Sequence, residues 1–136
     1  MKHEFGVKVR FSETDALGHV SNISYFIYLE DARIEFFRKL GANLGMGNWH
    51  FIVANVSCDF IQQAHFDDHI TIESTVSKIG NTSFHIKHEL YTDKGLVARG
   101  KAVVVYFDFE AQKPIPVPTE FKKALETYVE KESKEV

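Results

Sequence analysis

Asp15, Gly18, His19 and Asn22 fall within the run Asp15-Ala16-Leu17-Gly18-His19-Val20-Ser21-Asn22-Ile23-Ser24-Tyr25. This run sets a carboxylate, a glycine and an imidazole in a loop that leads directly into a helix-like stretch. The start of a helix presents unpaired backbone N–H groups and a partial positive charge. Such an end can hold the negative charge that develops on a carbonyl oxygen. A carboxylate seven residues before Asn22 can act on the same carbonyl, as a general base for water or as a nucleophile. The spacing alone also fits a plainer role for Asp15, an Asx-turn or an early helix cap.

The elements that must position these groups are legible. Phe5, Val7, Val9 and Phe11 alternate with Gly6, Lys8, Arg10 and Ser12, which predicts a half-buried strand over 5–13. A loop follows at 14–21. Residues 22–40 carry helical periodicity, with Ile23, Phe26, Ile27, Ile34 and Phe37 on one stripe. Ser21 or Asn22 serves as the N-cap and Gly41 as the stop. The glycine-rich segment 41–48 is a loop. Strands are predicted at 50–63, 69–79, 82–92 and 96–109, with turns at Asp67-Asp68, Gly80-Asn81 and Asp93-Lys94-Gly95. The last of them is apolar on both faces from Ala102 to Phe107, so it needs a cover on each. The early helix is one cover and a second subunit is a candidate for the other. Pro114, Pro116 and Pro118 end the sheet. A C-terminal helix begins near Thr119, with Phe121, Leu125 and Val129 on its apolar stripe, and Lys131 to Val136 fray. Strand, long helix, four-strand meander and terminal helix together predict an α+β fold.

Composition narrows the function. The 136 residues predict one domain, 1–136, with an ordinary hydrophobic core. A net charge of −3 argues against a general nucleic-acid binder. The single cysteine, Cys58, excludes an internal disulfide and alternates with Val56 and Phe60 as a core residue. No apolar run reaches the ~20 residues of a membrane span, and the first residues lack a signal-peptide pattern. A cytoplasmic protein without stable membrane insertion is expected.

The stretch Val9-Arg10-Phe11-Ser12-Glu13-Thr14-Asp15-Ala16-Leu17-Gly18-His19-Val20-Ser21-Asn22-Ile23-Ser24-Tyr25 resembles the signature of hot-dog-fold acyl-CoA thioesterases, in particular the 4-hydroxybenzoyl-CoA thioesterase-like family. Tyr28-Leu29-Glu30-Asp31-Ala32-Arg33, Asp59-Phe60, Asp67-Asp68 and Gly80-Asn81-Thr82-Ser83-Phe84 extend the resemblance over roughly residues 5–120. It implies a five-stranded antiparallel sheet wrapped around one long helix, here followed by a C-terminal helix. It implies homodimers joined sheet edge to sheet edge, often paired into homotetramers, with the site at the subunit interface and acyl-CoA as substrate.

The resemblance assigns candidate roles. Asp15 becomes the general base or nucleophile, and the backbone N–H at Asn22 the oxyanion donor. Gly18 supplies a φ > 0 turn or close approach to the thioester. His19 donates a proton to the leaving thiolate or shapes the site through hydrogen bonds. Tyr25 is a pocket wall or a packing residue. Glu30 lies on the predicted buried stripe, so it is either a rival catalytic carboxylate or an acceptor for strand backbone or Arg33. Lys78, Asn81, Thr82 and Ser83 surround the turn where the family often binds the nucleotide end of CoA, although the arginines some members carry there are absent. His65 and His69 lack a third metal ligand, and His85 and His88 lie on opposite strand faces, so no metal site is expected. Water and a carboxylate suffice for an activated acyl group, so no cofactor is expected. Two other readings share the fold: an acyl-thioester dehydratase using His19 with Glu30, and a non-catalytic acyl-CoA-binding module in which Asp15 is structural.

Overall fold

Strand-forming residues fill five long strands and helix-forming residues one long helix. The computed structural model describes residues 1–45 and 47–130. The strands are β1 (His3–Lys8), β2 (Phe51–Phe60), β3 (His69–Ile79), β4 (Ser83–Thr92) and β5 (Gly95–Asp108), with a two-residue β6 (Lys113–Pro114) on β5. The helices are α1 (Asn22–Lys39) and α2 (Thr119–Glu126). Every named strand pairing is antiparallel and the main order is β1-β3-β4-β5-β2. The sheet wraps around α1 as the resemblance implies.

Four expectations change. The first strand stops at Lys8, and Phe11–Glu13 is a 3-10 turn with Phe11 75% exposed. The four later strands do not run as one meander, because β2 crosses to the far side of β5 and β1 takes the place beside β3. Pro114 joins the short β6 strand instead of ending the sheet. Val129 lies beyond α2 and bridges to Val76. The fraying expected at Lys131 to Val136 lies outside the described residues.

The helix stripe is also corrected. The face of α1 on the sheet carries Tyr25, Tyr28, Leu29, Ala32, Phe36 and Phe37, all buried. Ile23 and Ile27, expected on the core face, are 75% and 48% exposed, and Glu30 is exposed instead of buried. The apolar arc of α1 exceeds half its circumference, and a single sheet covers only part of it. The seated part was selected by fit. Gly100 lies under Leu29, where an added Cβ would stand 2.7 Å from Leu29 Cδ1.

The core has two clusters under α1. One joins Phe36, Phe37, Phe51, Phe84, Phe121 and their neighbours; the other joins Val9, Tyr25, Leu29, Ile70, Leu90 and theirs. Cys58 is half-buried against the second cluster, and burial pushes its thiol up to about 11. On β4, His88 is fully buried with Nδ1 2.7 Å from Ser74 Oγ, and among the described residues its Nε2 has no partner. Burial first, then the nearby Arg33 and His3, hold His88 down to about 3.

This histidine makes stability pH-dependent. The unfolded chain takes up its proton below about pH 6.5 and the folded chain only near 3, so stability is full above 6.5 and falls as pH drops toward 3. One proton corresponds to about 1.4 kcal/mol per pH unit within that window. Urea unfolding of His88→Gln between pH 6.5 and 4 is expected to show an acid slope shallower by close to that amount.

Candidate active site

The loop from Glu13 to Ser21 is closed at its base. Ser21 N–H donates to Glu13 O at 3.0 Å, and Ser24 Oγ donates to the same oxygen at 2.9 Å. Within it, Asp15 N–H bonds His19 O at 2.8 Å, and Gly18 N–H bonds Asp15 O at 3.1 Å. Gly18 takes φ +78, a left-handed turn open to glycine at no steric cost. The outer side is tied down by Val20 N–H to Ala64 O at 2.8 Å and Phe66 N–H to Gly18 O at 3.1 Å.

Asp15 is exposed, and its Oδ1 accepts from Leu17 N–H at 2.9 Å and His19 N–H at 3.2 Å. This is the Asx-turn of the plainer reading, and it also orients the carboxylate. The two roles are compatible, because both backbone bonds fall on one oxygen.

Ser21, rather than Asn22, is the N-cap of α1, with Ser24 N–H donating to its Oγ at 3.3 Å. The N–H groups of Ser24 and Tyr25 bond Ser21 O. Among the described residues, those of Asn22 and Ile23 have no acceptor in the protein. Two donors at a helix start, two residues from a tethered loop, have the chemistry of an oxyanion site. A cleft of about 370 Å³ opens here, lined by Asn22, Tyr25, Phe60, Ile61, Gln62 and Gln63. A larger one of about 490 Å³ lies at the other end of α1, between Leu40, His50, Tyr106 and Phe121. The carbonyl end of a helix has the wrong polarity for an oxyanion.

The structure holds Asp15, Gly18 and His19 in one tethered loop that leads through Ser21 to Asn22, and it places Asn22 and Tyr25 in the cleft wall. The His19 ring packs edge-on against His65, centroids 5.0 Å apart, and Tyr25 is a buried wall beside Phe60. Glu30 does not join them. It lies eight residues along α1 from Asn22, about 12 Å, and lines a separate pocket of about 270 Å³ with Arg33, Trp49 and Val53. Lys78, Asn81, Thr82 and Ser83 sit at or just past the Ile79 end of β3, a strand roughly 33 Å long at 3.3 Å per residue. There Asn81 O accepts Val117 N–H and Thr82 O accepts Tyr106 N–H. Among the described residues, no group of three or more His, Cys, Asp or Glu is placed to hold a metal ion.

Two contributors escaped the sequence reading. Glu13 has a side chain only 11% exposed. Its Oε1 accepts Arg10 N–H at 2.8 Å and Tyr28 O–H at 2.9 Å, and its Oε2 accepts from Arg10 Nη2 at 2.9 Å. Burial pushes this carboxylate up, but the Arg10 and Tyr28 bonds outweigh it and leave it below the usual range. Burial, then the bond to Glu13, push Tyr28 above its ordinary value. The other contributor is Ile61-Gln62-Gln63, where Gln62 Nε2 donates to Leu96 O at 2.9 Å. Neither had a signal in spacing, since Tyr28 is fifteen residues from Glu13 and Leu96 thirty-four from Gln62.

An antiparallel sheet wrapped around one long helix is the hot-dog fold. A family model described as the thioesterase-like superfamily matches residues 9–125, and the chain belongs to that family. It is 32% identical over 123 residues, 88% of this chain and 82% of the other, to the uncharacterized protein YsmA of Bacillus subtilis. It is 27% identical, over 88% of this chain and 91% of the other, to the acyl-CoA thioesterase YbgC of Haemophilus influenzae. The structure of a predicted thioesterase from Bacillus stearothermophilus superposes with TM-score 0.91 at 26% identity, covering 98% of this chain and all of the other. No helix of the described residues is long and apolar enough to cross a membrane.

An added Cβ at Gly18 would meet nothing within 4 Å, so Gly18→Ala carries the backbone penalty alone. The expected loss is about 1 kcal/mol of stability, read by urea denaturation.

Proposed function

We propose that this chain is a single-domain acyl-CoA thioesterase that hydrolyses acyl-CoA to a free acid and CoA. The observation that carries the reading is the pair of unpaired N–H groups at Asn22 and Ile23 beside the loop that holds Asp15. The thioester carbonyl oxygen accepts from these N–H groups. Asp15 takes a proton from water as the water oxygen bonds to the carbonyl carbon, and the oxyanion forms against the helix start. Collapse breaks the C–S bond, and the proton held by Asp15 returns to the leaving thiolate. Direct attack by Asp15, giving a mixed anhydride that water then cleaves, uses the same geometry. His19 acts through its backbone N–H, which orients Asp15, and Tyr25 walls the cleft. Glu30 lies outside this arrangement, which leaves a His19–Glu30 dehydratase pair without support within one protomer.

The active form is a homo-oligomer. Among the described residues the outer edge of β2 is unpaired, and Val53, Val56 and Phe60 on this strand are 42%, 41% and 44% exposed. Phe60 packs beside Phe26 of α1, between the bare Ile23 and Ile27 in sequence. A second copy covers both the strand edge and these isoleucines and roofs the cleft beside Asn22. Within such an assembly a partner brings its Lys78–Ser83 turn toward the CoA phosphates, which one protomer cannot do across the length of β3.

Thiol release from short, long and aromatic acyl-CoA substrates tests the chemistry. Wild type is expected to release CoA from at least one, with kcat lowered 100-fold or more in Asp15→Asn, about the contribution of a positioned base. Full activity in Asp15→Asn removes Asp15 from the mechanism. Binding without thiol release across the panel makes the chain a binding module, and water loss from a 3-hydroxyacyl thioester makes it a dehydratase. Val56→Lys is expected to convert the oligomer to monomer in sedimentation velocity and to lower kcat with it.

A further inference from the structure

The geometry points to Glu13 as a positioning residue that locks the Asp15 loop to the helix supplying the oxyanion donors. This rests on the thioesterase reading. Asp15, Ala16 and Leu17 at the tip of this loop are exposed, so burial holds only its Val20 end. A displacement near 1 Å costs on the order of 100-fold in rate, so something else must fix Asp15 against the N–H groups of Asn22 and Ile23.

Glu13 is where loop and helix meet. Its carbonyl oxygen receives Ser21 N–H and Ser24 Oγ, which closes the loop on the first turn of α1. Its carboxylate receives Tyr28 O–H from the second turn, and Tyr28 is 1% exposed. The same carboxylate receives Arg10 N–H and the Arg10 guanidinium, which fixes the 3-10 turn before the loop. Arg10 has a side chain 77% exposed, so that ion pair contributes little. The half-buried Tyr28 bond and the Arg10 main-chain bond hold the clamp. The Glu13 side chain is 11% exposed and its oxygens are taken up by Arg10 and Tyr28, so it acts through the loop and the helix start rather than on substrate.

Three variants test the clamp. Glu13→Ala is expected to lower kcat by at least about tenfold with KM within about twofold, because alignment is lost and binding is not. Tyr28→Phe, which removes only the helix tie, is expected to lower kcat in the same manner. Glu13→Gln, whose amide oxygen still accepts both bonds, is expected to stay within about threefold of wild type. Amide hydrogen exchange at Leu17 and His19, whose N–H groups hold Asp15, is expected to quicken about tenfold in Glu13→Ala and Tyr28→Phe. Wild-type kcat and exchange in Tyr28→Phe would overturn the proposal, and that variant decides if Glu13→Ala does not fold. An equal loss of kcat in Glu13→Gln with unchanged exchange also overturns it. If wild type cleaves no thioester, the function fails while the exchange data still decide the clamp.

Discussion

The apolar arc of α1 is wider than one sheet can cover, and much of the molecule answers to that mismatch. An eighteen-residue helix with aromatic and aliphatic side chains around more than half its surface must bury one part and leave another bare. The part with Leu29, Ala32 and Phe36 seats on the sheet, where Gly100 allows close approach. The part with Ile23 and Ile27 stays open beside an unpaired strand edge. The cleft at Asn22, where the chemistry is proposed, lies where the open stripe begins.

The helix start is the second consequence of that seating. With the body of α1 packed, its first turn is fixed in space, and its two free N–H groups are fixed with it. A helix start on a mobile segment has the same partial charge but no defined target. The loop before it is short, exposed and held almost entirely by hydrogen bonds. Its stiffness therefore comes from how many of its polar groups are satisfied, and Glu13, Asp15 and Ser21 each satisfy two or more.

Buried polar groups in this fold are resolved in different ways. Glu13 is matched by donors on two sides and stays charged. His88 has one partner and stays neutral, because desolvation and nearby cationic groups make its proton costly. Burial lowers the Arg33 guanidinium, while the Glu30 charge works the other way. The contrast shows why residue type alone does not reveal a role. The histidine sealed in the core serves packing, and the exposed aspartate carries the chemistry proposed here.

Strands 3, 4 and 5, the long helix, its stop at Gly41 and the turn around Asp15 were legible in the sequence, because each rests on local periodicity or short-range turn preferences. Gly18 proved to need φ > 0, and Ser21 proved to be the cap, both within the range that neighbouring residues decide. The early end of β1, the crossing of β2 and the seated face of α1 were not legible. Alternation says that a strand has two faces but not which edge it joins. Helical periodicity marks an apolar arc but not which part of it meets the sheet. Glu30 was misplaced for this reason, and the clamp at Glu13 was missed because its partner Tyr28 comes close only after the helix folds back. The sequence by itself determined which residues can do chemistry and the local turns that present them. Tertiary structure alone decided which of them meet, because contacts across fifteen or more residues depend on packing that no local preference encodes.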